Sequence, residues 1–134
     1  MELAPAMSPT PTLPTELVVV VDDDPLVGAH IAEELEGHGV ECVHVQDFDV
    51  AYDIAVHHRP ALMVIDQILE SEEGTRLLRR LDALGDDAPW VVLLRYAPGP
   101  TGPFRDLHVT LVSGERWFED LPDVVSRQVY ARAY

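Results

Sequence analysis

The stretch Val18-Val19-Val20-Val21-Asp22-Asp23-Asp24 decides how the chain is read. Four β-branched residues in succession, with no polar alternation, fit a strand buried on both faces. A buried carboxylate is costly, so the three acids belong where that strand ends and meets water. In an open α/β sheet, ligands bind at the carboxyl ends of the strands. Leu62-Met63-Val64-Ile65-Asp66 repeats the arrangement. If the two strands are parallel neighbours, Asp22, Asp23 and Asp66 converge on one spot. Carboxylates so placed repel one another, and a hard cation with oxygen ligands, Mg2+ above all, relieves the repulsion.

Composition narrows the class. A chain of 134 residues makes one ordinary domain, and a hydrophobic content of 47% supports a core. The formal net charge of −15 and only nine basic residues argue against a nucleic-acid or anionic-membrane surface. The single Cys42 excludes an intramolecular disulfide and favours a reducing compartment. Met1-Glu2-Leu3-Ala4-Pro5 lacks the basic and apolar regions of a secretory signal. No apolar run approaches the roughly 18 residues of a membrane span, so the expected location is the cytoplasm. Residues 1–15, with Pro5, Pro9, Pro11 and Pro14 among Ser and Thr, read as a disordered Pro-rich tail, and residues 16–134 as one domain.

Along that domain, Pro25 fits a first helical turn capped by Asp24. Val27, Ile31 and Leu35 form an apolar stripe that Gly37 and Gly39 end. Glu41 to Val45 alternates as a short strand with Val43 and Val45 inward, and residues 48–58 suit a helix through Ala51, Ile54 and Ala55. Pro60 precedes the strand ending at Asp66. Gly74 opens a turn into the helical pattern Leu77, Leu78, Leu81, Leu84, which Gly85-Asp86-Asp87 breaks. Trp90 to Leu94 is another buried strand. The Pro/Gly-rich segment 97–103 cannot form a regular helix. Leu107 to Val112 reads as a fifth strand, and Asp120 as the cap of a last helix with Pro122 in its first turn and Leu121, Val124, Val125, Gln128 and Val129 inward. Strands alternating with helices define an α/β fold with a parallel sheet. Cys42 reads as a small core residue, His57 and His58 as surface residues, and His108, Trp90 and Trp117 as packing residues. Trp117-Phe118 is expected to cover the end of the fifth strand.

From about residue 16 to residue 132 the chain resembles the receiver domain of two-component response regulators. The resemblance rests on Val18–Val21 followed by Asp22-Asp23-Asp24-Pro25-Leu26, on His58-Arg59-Pro60 before Leu62–Asp66, on Gly74 eight residues beyond Asp66, and on Gly74 to Leu81 as the family's third helix. It implies a flavodoxin-like fold with five parallel strands in the order 2-1-3-4-5. It also implies that Asp66 accepts a phosphoryl group from a histidine kinase or phosphotransfer protein. Mg2+ would then be held by Asp22, Asp23, Asp66 and the backbone carbonyl of Ile68. A carboxylate is a usable nucleophile toward an activated phosphoryl donor, and a divalent cation neutralises charge during in-line transfer.

Several features depart from the family. Its hydroxyl residue at the end of the fourth strand is here Leu94. Its lysine after the fifth strand has no counterpart: the chain contains no lysine, and the matching stretch is Val112-Ser113-Gly114-Glu115-Arg116. The degenerate switch positions are thus Leu94 and Gly114, and Arg95 is the candidate substitute cation. Segment 97–103 stands where the fourth helix belongs. Glu70 replaces a common proline, and Ile68 puts an apolar side chain at a position that tunes dephosphorylation.

The expected function is that of an atypical bacterial receiver in two-component phosphorelay signalling. It would act through protein–protein contacts with a kinase and a downstream protein, with homodimerisation left open. With Tyr134 directly after the last helix, it is expected to stand alone, and to catalyse at most its own phosphorylation and dephosphorylation at Asp66. One alternative is a pseudo-receiver that docks partners without phosphorylation. Another is a Mg2+-dependent phosphohydrolase of the haloacid dehalogenase type using Asp22-Asp23-Asp24, which the missing lysine disfavours.

Overall fold

A computed structural model of the protein describes residues 16–66, 72–95 and 104–133. The elements are β1 (Val18–Val21), α1 (Pro25–Gly37), β2 (Cys42–Val45), α2 (Phe48–His58), β3 (Leu62–Asp66), α3 (Glu72–Asp82), a 3-10 turn at Gly85–Asp87, β4 (Trp90–Arg95), β5 (Val109–Ser113) and α4 (Trp117–Ala133). The five strands are parallel and ordered β2-β1-β3-β4-β5. This is the flavodoxin-like order that the resemblance to receiver domains implies. Segment 97–103 and the tail 1–15 lie outside the described residues.

Alternation along each strand splits the core into two layers. Val19, Val21, Met63, Ile65, Val91 and Leu93 pack with Ala51 and Ala55 of α2 and Leu77, Leu78 and Leu81 of α3. Val18, Val20, Leu62, Val64, Val92 and Leu94 pack with Ile31 and Leu35 of α1 and Leu121 and Val125 of α4. Each such side chain contributes about 1.5–3 kcal/mol on leaving water. That explains why the strands read as unbroken apolar runs.

Local chemistry sets where the helices start. Asp24 caps α1, its carboxylate accepting from the amides of Leu26 (2.9 Å) and Val27 (3.2 Å). Asp47 caps α2 in the same way, through Asp49 (2.7 Å) and Val50 (3.2 Å). Gly74 does not open a turn: it is buried within α3.

Asp120 does not cap the last helix either. The chain turns at Gly114 (φ 94°), the Trp117 amide bonds the Gly114 carbonyl, and α4 begins at Trp117 with Pro122 inside it. The fifth strand starts at Val109 rather than Leu107, because the amides ahead of it are already engaged. Asp82, ending α3, accepts from the amides of Arg105 (3.2 Å), Asp106 (2.8 Å) and Leu107 (2.9 Å). These bonds hold its carboxyl below the usual range, the Asp106 amide foremost. Val43 shares the face of buried Val45 but is 39% exposed, since β2 is the edge strand, and Cys42 beside it is half-buried rather than a core residue. Trp117 and Phe118 pack toward α1, in the core layer that also holds Val112 of β5, with Phe118 stacking on His30 at 4.8 Å. His57 and His58 are exposed as expected, and His108 meets the Trp90 ring edge-on at 4.0 Å.

Candidate functional site

β1 and β3 are parallel neighbours with Val21 opposite Ile65, so the next residues, Asp22 and Asp66, stand side by side at the strand ends. Asp22 is 3% exposed and the sole buried charged residue among those described. Its amide donates to the Val45 carbonyl (3.1 Å) and its Oδ1 accepts from the Asp24 amide (2.9 Å). Its carbonyl accepts from Nε2 of His44 (3.0 Å). Its Oδ2 is buried and no donor reaches it. The group beside it is another carboxyl, Asp66, so the two share a hydrogen bond only when a proton sits between them. Burial, then Asp66, raise the Asp22 pKa to about 7, with the Asp24 amide pulling down and Asp23 adding to the rise.

Asp23 is exposed and lines an open cleft of about 250 Å3 between α2 and α3, with Gln46, Asp47, Glu73, Arg76 and Arg80. Arg80 is held across that cleft by Asp49 (2.9 Å) and by the face of the Tyr52 ring (3.8 Å). Among the described residues, no three His, Cys, Asp or Glu side chains form a ready-made cation cage. Asp22 and Asp66 meet, and Asp23 is near enough for its charge to act on Asp22. That suits Mg2+, which is commonly bound by one or two carboxylates and completes its shell with water and substrate oxygens. The donor set is all hard oxygen, and the orphaned Oδ2 of Asp22 is an atom a cation would satisfy. Ile68, expected to offer a carbonyl, lies outside the described residues, as does Glu70.

The residues expected at the family's switch positions are also located. Leu94 is fully buried and in register with Asp66. Arg95 pairs in register with Ser113, and strand alternation directs it to the sheet face opposite Leu94. At Gly114 a side chain would meet nothing within 4 Å. Sequence reading missed His44 and Asp82. A histidine amid the valines of Cys42-Val43-His44-Val45 was the available signal for the first; a lone aspartate at a helix end signalled nothing for the second.

A parallel flavodoxin-like sheet with carboxylates at the ends of β1 and β3 places the chain among the α/β modules whose ligands meet the carboxyl ends of the strands. A model of the response regulator receiver domain matches residues 18–98, and the chain belongs to that family. Receiver domains are signalling modules that work between histidine kinases and downstream effectors, rather than enzymes. The chain is similar to the phosphate regulon transcriptional regulatory protein PhoB of Pseudomonas aeruginosa, 33% identical over 78 residues, covering 57% of this chain and 34% of the relative. The response regulator MprA of Mycobacterium avium is 35% identical over 78 residues, covering 57% and 33%. The chain thus spans about a third of the length of the curated relatives it matches. Among solved structures, a sensor protein from Polaromonas superposes with a TM-score of 0.71 at 19% identity, covering 90% of this chain and all of that one. The Francisella response regulator 1452 receiver domain gives 0.69 at 17%, covering 87% and 98%. Among the described residues no helix is long and apolar enough to cross a membrane.

Proposed function

We propose that the chain is a phosphoacceptor receiver: Asp66 takes a phosphoryl group with Mg2+ held at Asp22, Asp23 and Asp66, and the module signals through protein contacts in the cytoplasm. The observation that carries this reading is the buried Asp22 carboxyl, which lies beside Asp66 and whose Oδ2 has no donor. Two carboxylates held so close are stable together when a proton or a cation lies between them. Bound there, Mg2+ would supply positive charge to the oxygens of an incoming phosphoryl donor. Asp66 would attack phosphorus, an oxygen–phosphorus bond forming as the donor's bond to phosphorus breaks and the leaving group departs with its electron pair. Asp22, fixed at its amide, carbonyl and Oδ1, keeps the pocket from collapsing. The proposed partners are a histidine kinase or phosphotransfer protein and a downstream protein.

Incubation with acetyl phosphate and Mg2+, read by intact-mass spectrometry, tests the reading. One added phosphoryl group on wild type, absent in Asp66→Asn, is expected. No added mass on wild type, with folding intact, refutes it in favour of the second reading. That reading, a docking module working without phosphorylation, draws its support from Leu94, whose buried side chain offers a phosphoryl oxygen no hydrogen bond.

A further inference from the structure

We propose that His44 is a positioning residue of the acidic pocket: it holds the Asp22–Asp23 peptide in the orientation that cation binding uses, and Gly28 is the residue that makes room for it. The inference rests on reading the pocket as a Mg2+ site. His44 lies on β2 in register with Val20, and its ring reaches to the end of β1, where Nε2 meets the Asp22 carbonyl at 3.0 Å. A carbonyl oxygen only accepts, so Nε2 carries the hydrogen of that bond. The Asp22 amide is tied to Val45 on the same strand. Asp22 is therefore clamped by β2 on both sides, at its amide by backbone and at its carbonyl by the imidazole. The carbonyl shares a rigid peptide plane with the Asp23 amide. Fixing it fixes the axis from which the Asp23 side chain projects.

Gly28 is the independent observation. It is buried in α1, and a Cβ at that position would overlap the Nε2, Cε1 and Cδ2 atoms of the His44 ring. Glycine inside a helix weakens it, and the turn geometry of α1 does not ask for one there. The ring occupies the space that any other residue 28 would fill. The two positions form a matched pair, with the ring as the functional half and the missing side chain as its socket.

Outer groups that orient ligand residues typically change metal affinity by 10–100-fold when removed. In His44→Phe, which keeps a flat ring without the donor, Mg2+ affinity is expected to fall by about that factor. In His44→Gln, whose amide nitrogen can take the place of Nε2, it should return to within about threefold of wild type. A role in packing alone would favour Phe over Gln, the reverse order. Gly28→Ala should weaken Mg2+ binding as His44→Phe does, and adding Gly28→Ala to His44→Ala should do no further harm, since the pair acts as one unit. A metal-free readout separates this inference from the pocket reading: in EDTA the Asp23 amide resonance should shift in His44→Phe and return in His44→Gln. Wild type that binds no Mg2+ at concentrations on the order of tens of millimolar overturns the metal reading. An unmoved Asp23 resonance, or equal Mg2+ affinity in wild type and His44→Phe, overturns the positioning role.

Discussion

Leu94 stands beside Asp66 on the neighbouring strand, in register and wholly buried against the α1–α4 layer. A side chain in this place can report the state of Asp66 only if it gains or loses a contact with the phosphoryl oxygens. An isobutyl group makes no hydrogen bond with them, and β5 from Val109 to Ser113 carries no aromatic residue to rotate. A ligand shifts a two-state equilibrium only by its differential affinity for the states. Beryllofluoride with Mg2+ should therefore move amide resonances near Asp22, Asp23 and Asp66 and leave β5 and α4 in place. Large shifts throughout α4 would refute this, and Arg95 would be the first residue to substitute. Leu94→Ala, by contrast, should destabilise the fold by about 2–5 kcal/mol through the cavity it leaves.

The raised pKa of Asp22 makes a prediction about pH. Its unfolded value is near 3.8 and its folded value about 7, so the metal-free native state holds a proton that the unfolded state has released. The Asp22 contribution to stability is fully present below about pH 4 and is lost as the pH rises through about 7. Denaturation midpoints in EDTA, measured from about pH 5 to pH 8, should fall across that window. Mg2+ should flatten the profile by taking the place of the proton. A midpoint that rises steadily to pH 8 in EDTA would show that the Asp22 carboxyl is not crowded.

Removing one of the two charges should act in the same direction. At about pH 8 without metal, Asp66→Asn should stabilise the protein by about 1–3 kcal/mol, one pKa unit corresponding to about 1.4 kcal/mol. The amide also brings a donor within reach of the orphaned Oδ2 of Asp22. The same substitution should abolish the stabilisation that Mg2+ gives wild type. Chemical denaturation of both proteins, with and without Mg2+, checks the pair of statements; a lower midpoint for Asp66→Asn in EDTA sinks the first.

Cys42 should be a poor nucleophile in the folded protein. Its Sγ meets the Ala32 carbonyl at 3.4 Å, and burial, with Glu36 adding to it, pushes the thiol up to about 11. Near neutral pH almost none of it is thiolate, the reactive form. A disulfide reagent should modify it slowly in the native state and promptly in denaturant; equal rates would contradict this placement.

What was legible beforehand follows from where the physics is local. Val18–Val21 and Leu62–Ile65 announce buried strands because burial on both faces leaves no room for polar residues, and Asp24 with Pro25 announces a helix start within four residues. The place of Asp22 and Asp66 at adjacent strand ends follows once the sheet order is known. His44 was not legible: its role depends on a glycine in another element and a carbonyl 22 positions away. The early start of α4 was hidden for a related reason. Pro122 looks like a first-turn residue by its own chemistry, while the turn at Gly114 and the packing of Trp117 and Phe118 against α1 start the helix sooner.

The Asp82 carboxylate, gripping three consecutive amides just before β5, has a practical consequence for protein engineering. The chain leaves the sheet at Arg95 and is caught again at Arg105, so both ends of the intervening stretch are moored to rigid elements. Between two fixed ends, added residues cost little in general, each doubling of a flexible connection adding only about 0.6 kcal/mol. A reporter peptide or fluorophore tag grafted between those moorings should ride on the domain without disturbing strand register, provided Asp82 is left intact.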